Sequence, residues 1–351
     1  MKDMEKLNIA IVGFGMIGRR HMEILNASTQ AQLSAIVDVA ESSKKYAREN
    51  KIRYFETLEE LFKYHQPDGV ILATPNALHV SGTLICAKNG VPALIEKPIA
   101  DTVESGEYLV NKLEKYNIPM LVGHHRRHSV ALQTARDYIR SGKLGKLVSV
   151  MGSAQFYKPD SYFEQGAWRK SKGGGTILIN LIHEIDNLRF LCGEIVEVQA
   201  MASNAVRNFE VEDTAVMNFR FENGMLGTFT LSDTAVLPIS WEQTSGENKA
   251  YAAPTNHGNT DCYFIAGTNG SIAVPSLKTW HYAEEKSWWQ PLETNRIVFE
   301  EQDPLMAQLS HFCDVICRKT EPIVSPADAL ESLKIIERIT ENCKLKNTFD
   351  R

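Results

Sequence analysis

Ile9-Ala10-Ile11-Val12-Gly13-Phe14-Gly15-Met16-Ile17-Gly18 decides the fold of the first part of the chain. An apolar run that suits a buried strand passes straight into G-x-G-x-x-G, and a helical pattern follows it. A second apolar run, Leu33-Ser34-Ala35-Ile36-Val37, ends on Asp38, twenty residues after Gly18. Strand, glycine turn, helix and terminal acid together make the setting that a dinucleotide needs. Gly13 permits the tight turn, Gly15 lets backbone approach a pyrophosphate, and Gly18 lets the helix pack closely on the strand. The phosphates would sit on unpaired N–H groups at the helix start. Asp38 can accept hydrogen bonds from both adenosine ribose hydroxyls, and its charge repels a 2′-phosphate, which favours NAD over NADP. Arg19 and Arg20 follow the last glycine; a solvated helix start explains them better than a phosphate, although they keep NADP open.

Working outward, further strands are expected at 69–73, 93–96 and 120–122. Helical patterns lie between them, at 57–64 and at a stretch that Asp101 would cap with Glu104 three residues on. The second half reads differently. A helix is expected near 177–191, and β-type runs follow at 196–202, 214–221, 225–231, 262–266 and 271–274. Two helices close the chain, the second capped by Ser325 with Pro326 at its first position. The expected fold is α/β: a Rossmann domain over 1–123, then an α/β domain over 124–351 with a large open, mostly antiparallel sheet. The terminal helix is free to pack back on the first domain.

A length of 351 residues suits two such domains. Lys and Arg number 38 against 43 Asp and Glu, a net charge of −5 that leaves no basic footprint for nucleic acid or an anionic membrane. A small-molecule partner is expected. Met1-Lys2-Asp3-Met4-Glu5-Lys6 lacks the apolar core of a signal peptide, and no apolar run has the length of a membrane span, so the expected location is cytoplasmic. The six cysteines form no C-x-x-C pair and read as reduced thiols. Cys313 and Cys317 lie one helical turn apart near His311, but Leu305, Leu309, Phe312 and Ile316 recur at helical spacing there. Packing is favoured over a metal site.

Candidate chemistry concentrates at a few places. Glu96-Lys97-Pro98 ends a buried strand on the edge where nicotinamide should lie. The Lys97 ammonium there either serves a substrate oxygen or pairs with Glu96 or another acid. Gly173-Gly174-Gly175 opens a helix on which Asn180, His183 and Asp186 share one face. His183 is then a general base or part of a wet polar face, and periodicity alone favours the second. Thr74-Pro75-Asn76 with His79 follows a strand toward the cofactor. His124-His125-Arg126-Arg127-His128 gathers titratable groups after another strand, and Trp168-Arg169 suits a polyhydroxylated ring. The polar stretch 241–260 is either a substrate lid or a surface excursion. Trp280, Trp288 and Trp289 suit packing or an interface.

Gly13-Phe14-Gly15-Met16-Ile17-Gly18, Ala73-Thr74-Pro75-Asn76 with His79, Glu96-Lys97-Pro98, Arg126-Arg127, Trp168-Arg169 and the glycine-triplet helix with His183 and Asp186 stand in an order that resembles the Gfo/Idh/MocA oxidoreductases. The resemblance runs over essentially the whole chain. It implies that the second domain's open sheet binds substrate and often builds a homodimer or homotetramer. It also implies that Lys97 and His183 bracket a carbinol carbon, with Asn180 near them, while hydride passes between nicotinamide and a secondary alcohol or ketone of a sugar, cyclitol or related polyol. Glu96, Lys97, Arg126, Trp168 and Arg169 are then cofactor neighbours, and Lys97, Arg126, Trp168, Asn180 and His183 substrate neighbours as well. Many relatives carry an aspartate four residues before the histidine, where this chain has Ile179. Asn180 is the nearest polar substitute, and an amide cannot take up a proton. Two other readings stay open: an NAD-retaining hydrolase or epimerase that oxidises a glycoside transiently, and a non-catalytic nucleotide-sensing regulator.

Overall fold

The computed structural model describes residues 6–249, 251–252 and 260–343. They form two compact units, one of residues up to 128 together with 303–333, the other of 129–302 together with the residues from 334 on.

The first unit is built on six parallel strands: β1 (Leu7–Val12), β2 (Ala31–Val37), β3 (Arg53–Phe55), β4 (Gly69–Leu72), β5 (Ala93–Ile95) and β6 (Met120–Val122). Their order, β3-β2-β1-β4-β5-β6, reverses between β1 and β4, which opens a crevice at the carboxyl ends of those strands. Both faces of the sheet are covered, so the strands read as continuous apolar runs. Ile9 and Ile11 face one core with Ile36, Ile71, Leu94 and Leu121. Ala10 and Val12 face the other, with Val70, Leu72, Ile95 and Val122. The sequence reading missed β3, a partly exposed edge strand of three residues with too little apolar surface to signal itself. The helices are α1 (Met16–Ala27), α2 (Glu41–Glu49), α3 (Leu58–Tyr64), α4 (His79–Lys88) and α5 (Val103–Leu113). The cap of α5 sits one residue later than expected: Thr102 and Ser105 form the capping box, and Asp101 accepts the Ser105 hydroxyl at 2.7 Å.

In the second unit the chain runs α6 (Val130–Arg140), β7 (Leu147–Tyr157), α7 (Asp160–Glu164), α8 (Ile182–Cys192), β8 (Ile195–Ser203), β9 (Thr214–Phe221), β10 (Leu226–Ser232) and β11 (Thr234–Ile239). It continues through α9 (Trp241–Thr244), β12 (Tyr263–Gly267), β13 (Gly270–Val274), β14 (Lys278–His281) and β15 (Glu293–Arg296). The strands make one sheet in the order β15-β14-β13-β12-β7-β10-β9-β8, with β11 on β7. Only β7 and β10 pair in parallel. β9 shows why: Ala215, Met217, Phe219 and Phe221 are buried, while Val216, Asn218 and Arg220 face out, the period of a sheet covered on one side. The longest strand, β7, lies at the middle of the sheet and escaped the sequence reading because Gly152 and small polar residues interrupt its alternation. A Cβ at Gly152 would come within 2.4 Å of the Phe229 ring, so the gap in the pattern makes room for that side chain.

The chain ends with α10 (Pro304–Ile316) and α11 (Pro326–Asn342), the latter capped by Ser325. This part corrects the division expected after Gly123. Leu309 and Phe312 of α10 complete one core of the parallel sheet, and Leu330 and Leu333 of α11 the other, so residues 303–333 belong to the first unit. The six cysteines are free, all buried except Cys317. The Nε2 of His311 accepts the Ile323 N–H at 3.0 Å, and burial pushes the Cys313 thiol up to about 11, so both are spent on packing. Among the described residues no helix is long and apolar enough to cross a membrane.

Candidate active site

The glycine turn occupies the carboxyl end of β1. Gly13 has φ +84°, and a Cβ there would stand 2.5 Å from the Ala73 carbonyl oxygen, where the chain leaves β4. Gly15 differs. It is the N-cap of α1 with no side-chain cap, and a Cβ on it would meet no protein atom within 4 Å. The chain's own packing does not demand a glycine at 15; a pyrophosphate against the uncapped first turn would. Met16 and Ile17, 75% and 46% exposed, place apolar surface beside that turn. Phe14 points the other way: its ring is in the core, 4.7 Å from the Arg19 guanidinium, so only its backbone remains for a dinucleotide. Arg19 stacks on Phe14 and Tyr46, and Arg20 pairs with Glu23 and Asp303, which ties both arginines to the protein.

Asp38 stands at the end of β2, where its carboxylate accepts the N–H of Phe14 at 2.5 Å and of Ala40 at 2.7 Å. The acid is thereby fixed beside the glycine turn with lone pairs left over for ribose hydroxyls. At the end of β4, the Thr74 hydroxyl oxygen is buried and has no hydrogen-bond partner among the described residues, a gap that a ligand oxygen would fill. Pro75 and Asn76 follow in this loop, the first exposed and the second half-buried. His79 corrects the expectation of a cofactor contact. It is fully buried, and its ring nitrogens lie 2.8 Å from the Pro98 carbonyl and 2.9 Å from that of Thr74, so it braces the two loops.

Glu96 and Lys97 leave β5, joined to Pro98 by a cis peptide. The Glu96 carboxylate lies 2.7 Å from His21 Nε2. Burial opposes its ionisation, but the hydrogen bond from His21 and the charges of His21 and Lys97 outweigh this and hold it down to about 2. After β6 the segment His125–His128 forms a 3-10 turn, in which Arg126 is buried and Arg127 bonds Asp328 at 2.7 Å. Burial brings both His125 and His128 down to about 3. These groups share one sign of linkage. An unfolded chain protonates its histidines below about 6.5, whereas the folded unit keeps them neutral, so their contribution is full above that pH and is lost as pH falls. Glu96 adds a further loss between about 4.5 and about 2. Melting temperature should therefore drop between about pH 7.5 and about 5.5, with His128 alone contributing on the order of 1 kcal/mol. His128→Asn should flatten the profile; a melting temperature unchanged across this range in the wild type would refute the assignment.

In the second unit, Gly173 and Gly175 take φ +91° and +82°. A Cβ on Gly174 would collide with the Trp168 carbonyl at 2.6 Å, so the triplet folds tightly under the Trp168-Arg169 segment. The helix that follows is not uniform. Residues 177–181 form a π-turn, a feature often found at functional sites, before α8 begins. Glu212 caps the turn by accepting the Ile177 N–H at 2.7 Å, and burial raises its carboxyl. All of α8 is buried, which overturns the wet-face reading for His183 and Asp186, while Asn180, in the π-turn, is only partly buried. His183 is 9% exposed and Asp186 1%. The same helix is tied to the sheet, since the Tyr263 hydroxyl donates to Glu184 and accepts from Asn187 at 2.9 Å.

Trp168 is 57% exposed with the Arg169 guanidinium 5.7 Å from its ring, and that guanidinium is also held by the protein, lying 3.9 Å over Tyr162 and donating to the Tyr162 carbonyl. Around Asn180 the structure adds residues that sequence reasoning missed. Lys158 donates to Asn180 Oδ1 at 2.7 Å and pairs with Asp233 at 3.4 Å, and Arg207 holds Asp233 at 2.8 Å. A lysine closing the alternating run Gln155-Phe156-Tyr157 was the one available signal. In the supposed lid, α9 is short and Trp241 is buried with its indole N–H on Glu247; residues 250 and 253–259 lie outside the described residues. Trp288 and Trp289 pack edge to face at 5.6 Å and are exposed.

The model of the oxidoreductase family's NAD-binding Rossmann fold matches residues 7–124, and that of the GFO/IDH/MocA C-terminal domain matches 132–273. The chain belongs to the Gfo/Idh/MocA oxidoreductases. The rhizopine catabolism protein MocA of Rhizobium meliloti is 26% identical over 96% of this chain and 95% of its own length. The 1,5-anhydro-D-fructose reductase of Ensifer adhaerens is 29% identical over 62% of this chain and 67% of its own length. In fold, this Gfo/Idh/MocA protein matches the WlbA dehydrogenase of Bordetella pertussis, solved with NADH and UDP-GlcNAcA, at a TM-score of 0.77 and 22% identity over 96% of each chain. It is an enzyme with an NAD-binding Rossmann domain, and the glycine turn, Asp38 and Thr74 fit that cofactor.

Proposed function

We propose that this oxidoreductase transfers a hydride between NAD and a secondary alcohol or ketone of a sugar, cyclitol or related polyol, with Lys97 and His183 handling the hydroxyl proton. The observation that carries the reading is the place of Lys97: it leaves β5 at the same edge of the parallel sheet as the Gly13 turn and Thr74. Gly13 to Gly18, Asp38 and Thr74 would hold NAD, which when bound supplies a two-electron acceptor. Lys97, half-buried, donates to the substrate oxygen, steadying alkoxide character in oxidation and polarising the carbonyl in reduction. Glu96 is spent on His21, so its carboxylate stays ionised beside Lys97 and helps keep the ammonium in place. His183 takes the hydroxyl proton as general base. The sugar-reductase name of one relative supports the substrate class. The free cysteines suit a reducing compartment, and the proposed location is the cytoplasm.

The test mixes purified protein with NAD, and separately NADP, across cyclitols, free sugars and glycosides while following reduced-nicotinamide absorbance. A signal with one substrate class, and NAD ahead of NADP, is expected. Silence across the panel with NAD that survives dialysis would replace this reading with the cofactor-retaining hydrolase or epimerase.

The proposal includes a homo-oligomer. Phe264 and Met151 pair across β12 and β7, and Thr230, Val216 and Met201 pair across β10, β9 and β8, on the face of the sheet away from the core. Phe264, Met151, Val216 and Met201 are 41% to 71% exposed there, an apolar face suited to a second copy of the chain. Sedimentation should give a dimer or tetramer that Met151→Asp dissociates. A monomeric wild type would refute the interface.

A further inference from the structure

The amide of Asn180 is held in one orientation by a buried cation. Lys158 follows β7, is 8% exposed, and has its N–H on the Asp233 carbonyl at 2.9 Å. Its ammonium lies between Asp233 Oδ2 and Asn180 Oδ1, with the Tyr162 ring 5.1 Å away. An ammonium has donors only, so the amide must turn its oxygen toward Lys158. The Thr176 hydroxyl, 3.4 Å from the same oxygen, reinforces this. Asn180 is only partly buried, and its Nδ2 makes no hydrogen bond among the described residues, so two N–H groups face outward one turn before His183. Asp233 is itself buried and anchored by Arg207, so the whole row is fixed before any ligand arrives.

We propose that Lys158 is a positioning residue that makes Asn180 an obligate hydrogen-bond donor, and that the donor selects substrates presenting a carboxylate or carbonyl oxygen beside the reacting carbinol. The inference rests on the assignment of His183 to that carbinol. A carboxylate at this position would accept a hydroxyl proton; the locked amide offers protons instead, and it favours an oxygen with lone pairs and no hydrogen of its own. Such a selection is strong because a site built around a donor is left with unpaired polar groups by the wrong ligand. Lys158 carries no proton in this scheme.

The experiment is titration calorimetry of the full protein with NADH present, which cannot take a hydride from an alcohol, using hexuronate and hexose pairs of gluco, galacto and manno configuration. The wild type should bind at least one hexuronate about tenfold or more tighter than its hexose, about 1.4 kcal/mol in affinity. Lys158→Met frees the amide to turn and should reduce that ratio to about two- to threefold, chiefly through weaker hexuronate binding. Asp233 keeps Arg207 in this variant, so the fold has a partner for its buried acid. Asn180→Asp should invert the ratio. A purely structural role for Lys158 would weaken both members of a pair alike. No hexuronate bound by the wild type, or a ratio that neither substitution moves, would overturn the proposal. Binding is read without turnover, so failure of the hydride-transfer reading shows separately, as silence in the absorbance assay with the ratio intact.

Discussion

Lys97→Met is expected to lower kcat by about a hundredfold to ten-thousandfold on the enzyme's own substrate, the range for loss of one positioned proton-handling group. NAD affinity should change by less than about threefold, because the turn, acid and hydroxyl assigned to the cofactor lie on β1, β2 and β4, not on the Lys97 side chain. The distinction matters because Lys97 has a second possible use, as a counter-charge for buried Glu96. Glu96 is already held by His21 at 2.7 Å, and that bond survives the substitution. A counter-charge alone would show as a lower melting temperature with kcat intact. Lys97→Arg should not rescue activity, since a planar guanidinium cannot put a point donor in the place of the ammonium.

A second large effect separates two glycines that look alike in the motif. Gly15→Val should leave the melting temperature near that of the wild type while weakening NAD about a hundredfold or more, equivalent to about 3 kcal/mol. The backbone at Gly15 has φ −73°, open to any residue, and the space beside its Cβ holds no protein atom within 4 Å. Gly13→Val should lose both binding and stability. Its φ of +84° is strained for valine, and its Cβ would press on the Ala73 backbone at 2.5 Å. Calorimetric NAD titration with thermal melting of both variants checks this. A Gly15→Val protein that binds NAD as the wild type does would remove the pyrophosphate from this turn.

These two glycines also show what the sequence could and could not disclose. The parallel sheet was readable because strands covered on both faces must be continuously apolar, and because the turn between β1 and α1 has few chemical solutions. Asp38, Thr74 and Lys97 were readable for the same reason, as each ends a strand that the pattern already located. Side-chain direction was not. Phe14 turned into the core, His79 became a brace between two carbonyls, and Arg169 folded over Tyr162, choices made by tertiary contacts that no local spacing encodes. The row Lys158, Asn180, Asp233 and Arg207 was least accessible, because it is assembled from separate stretches of chain that only the sheet and the π-turn bring together. The π-turn itself has no apolar period of its own and hid inside a helical pattern.

The most direct measurement of the central claim uses the best substrate found, deuterated at its carbinol carbon, with mass analysis of the nicotinamide after turnover with NAD. Hydride transfer predicts that the deuterium appears in the reduced cofactor, one label for each molecule oxidised. Reduced cofactor without label, or turnover that leaves the deuterium in the carbohydrate or in water, would contradict it.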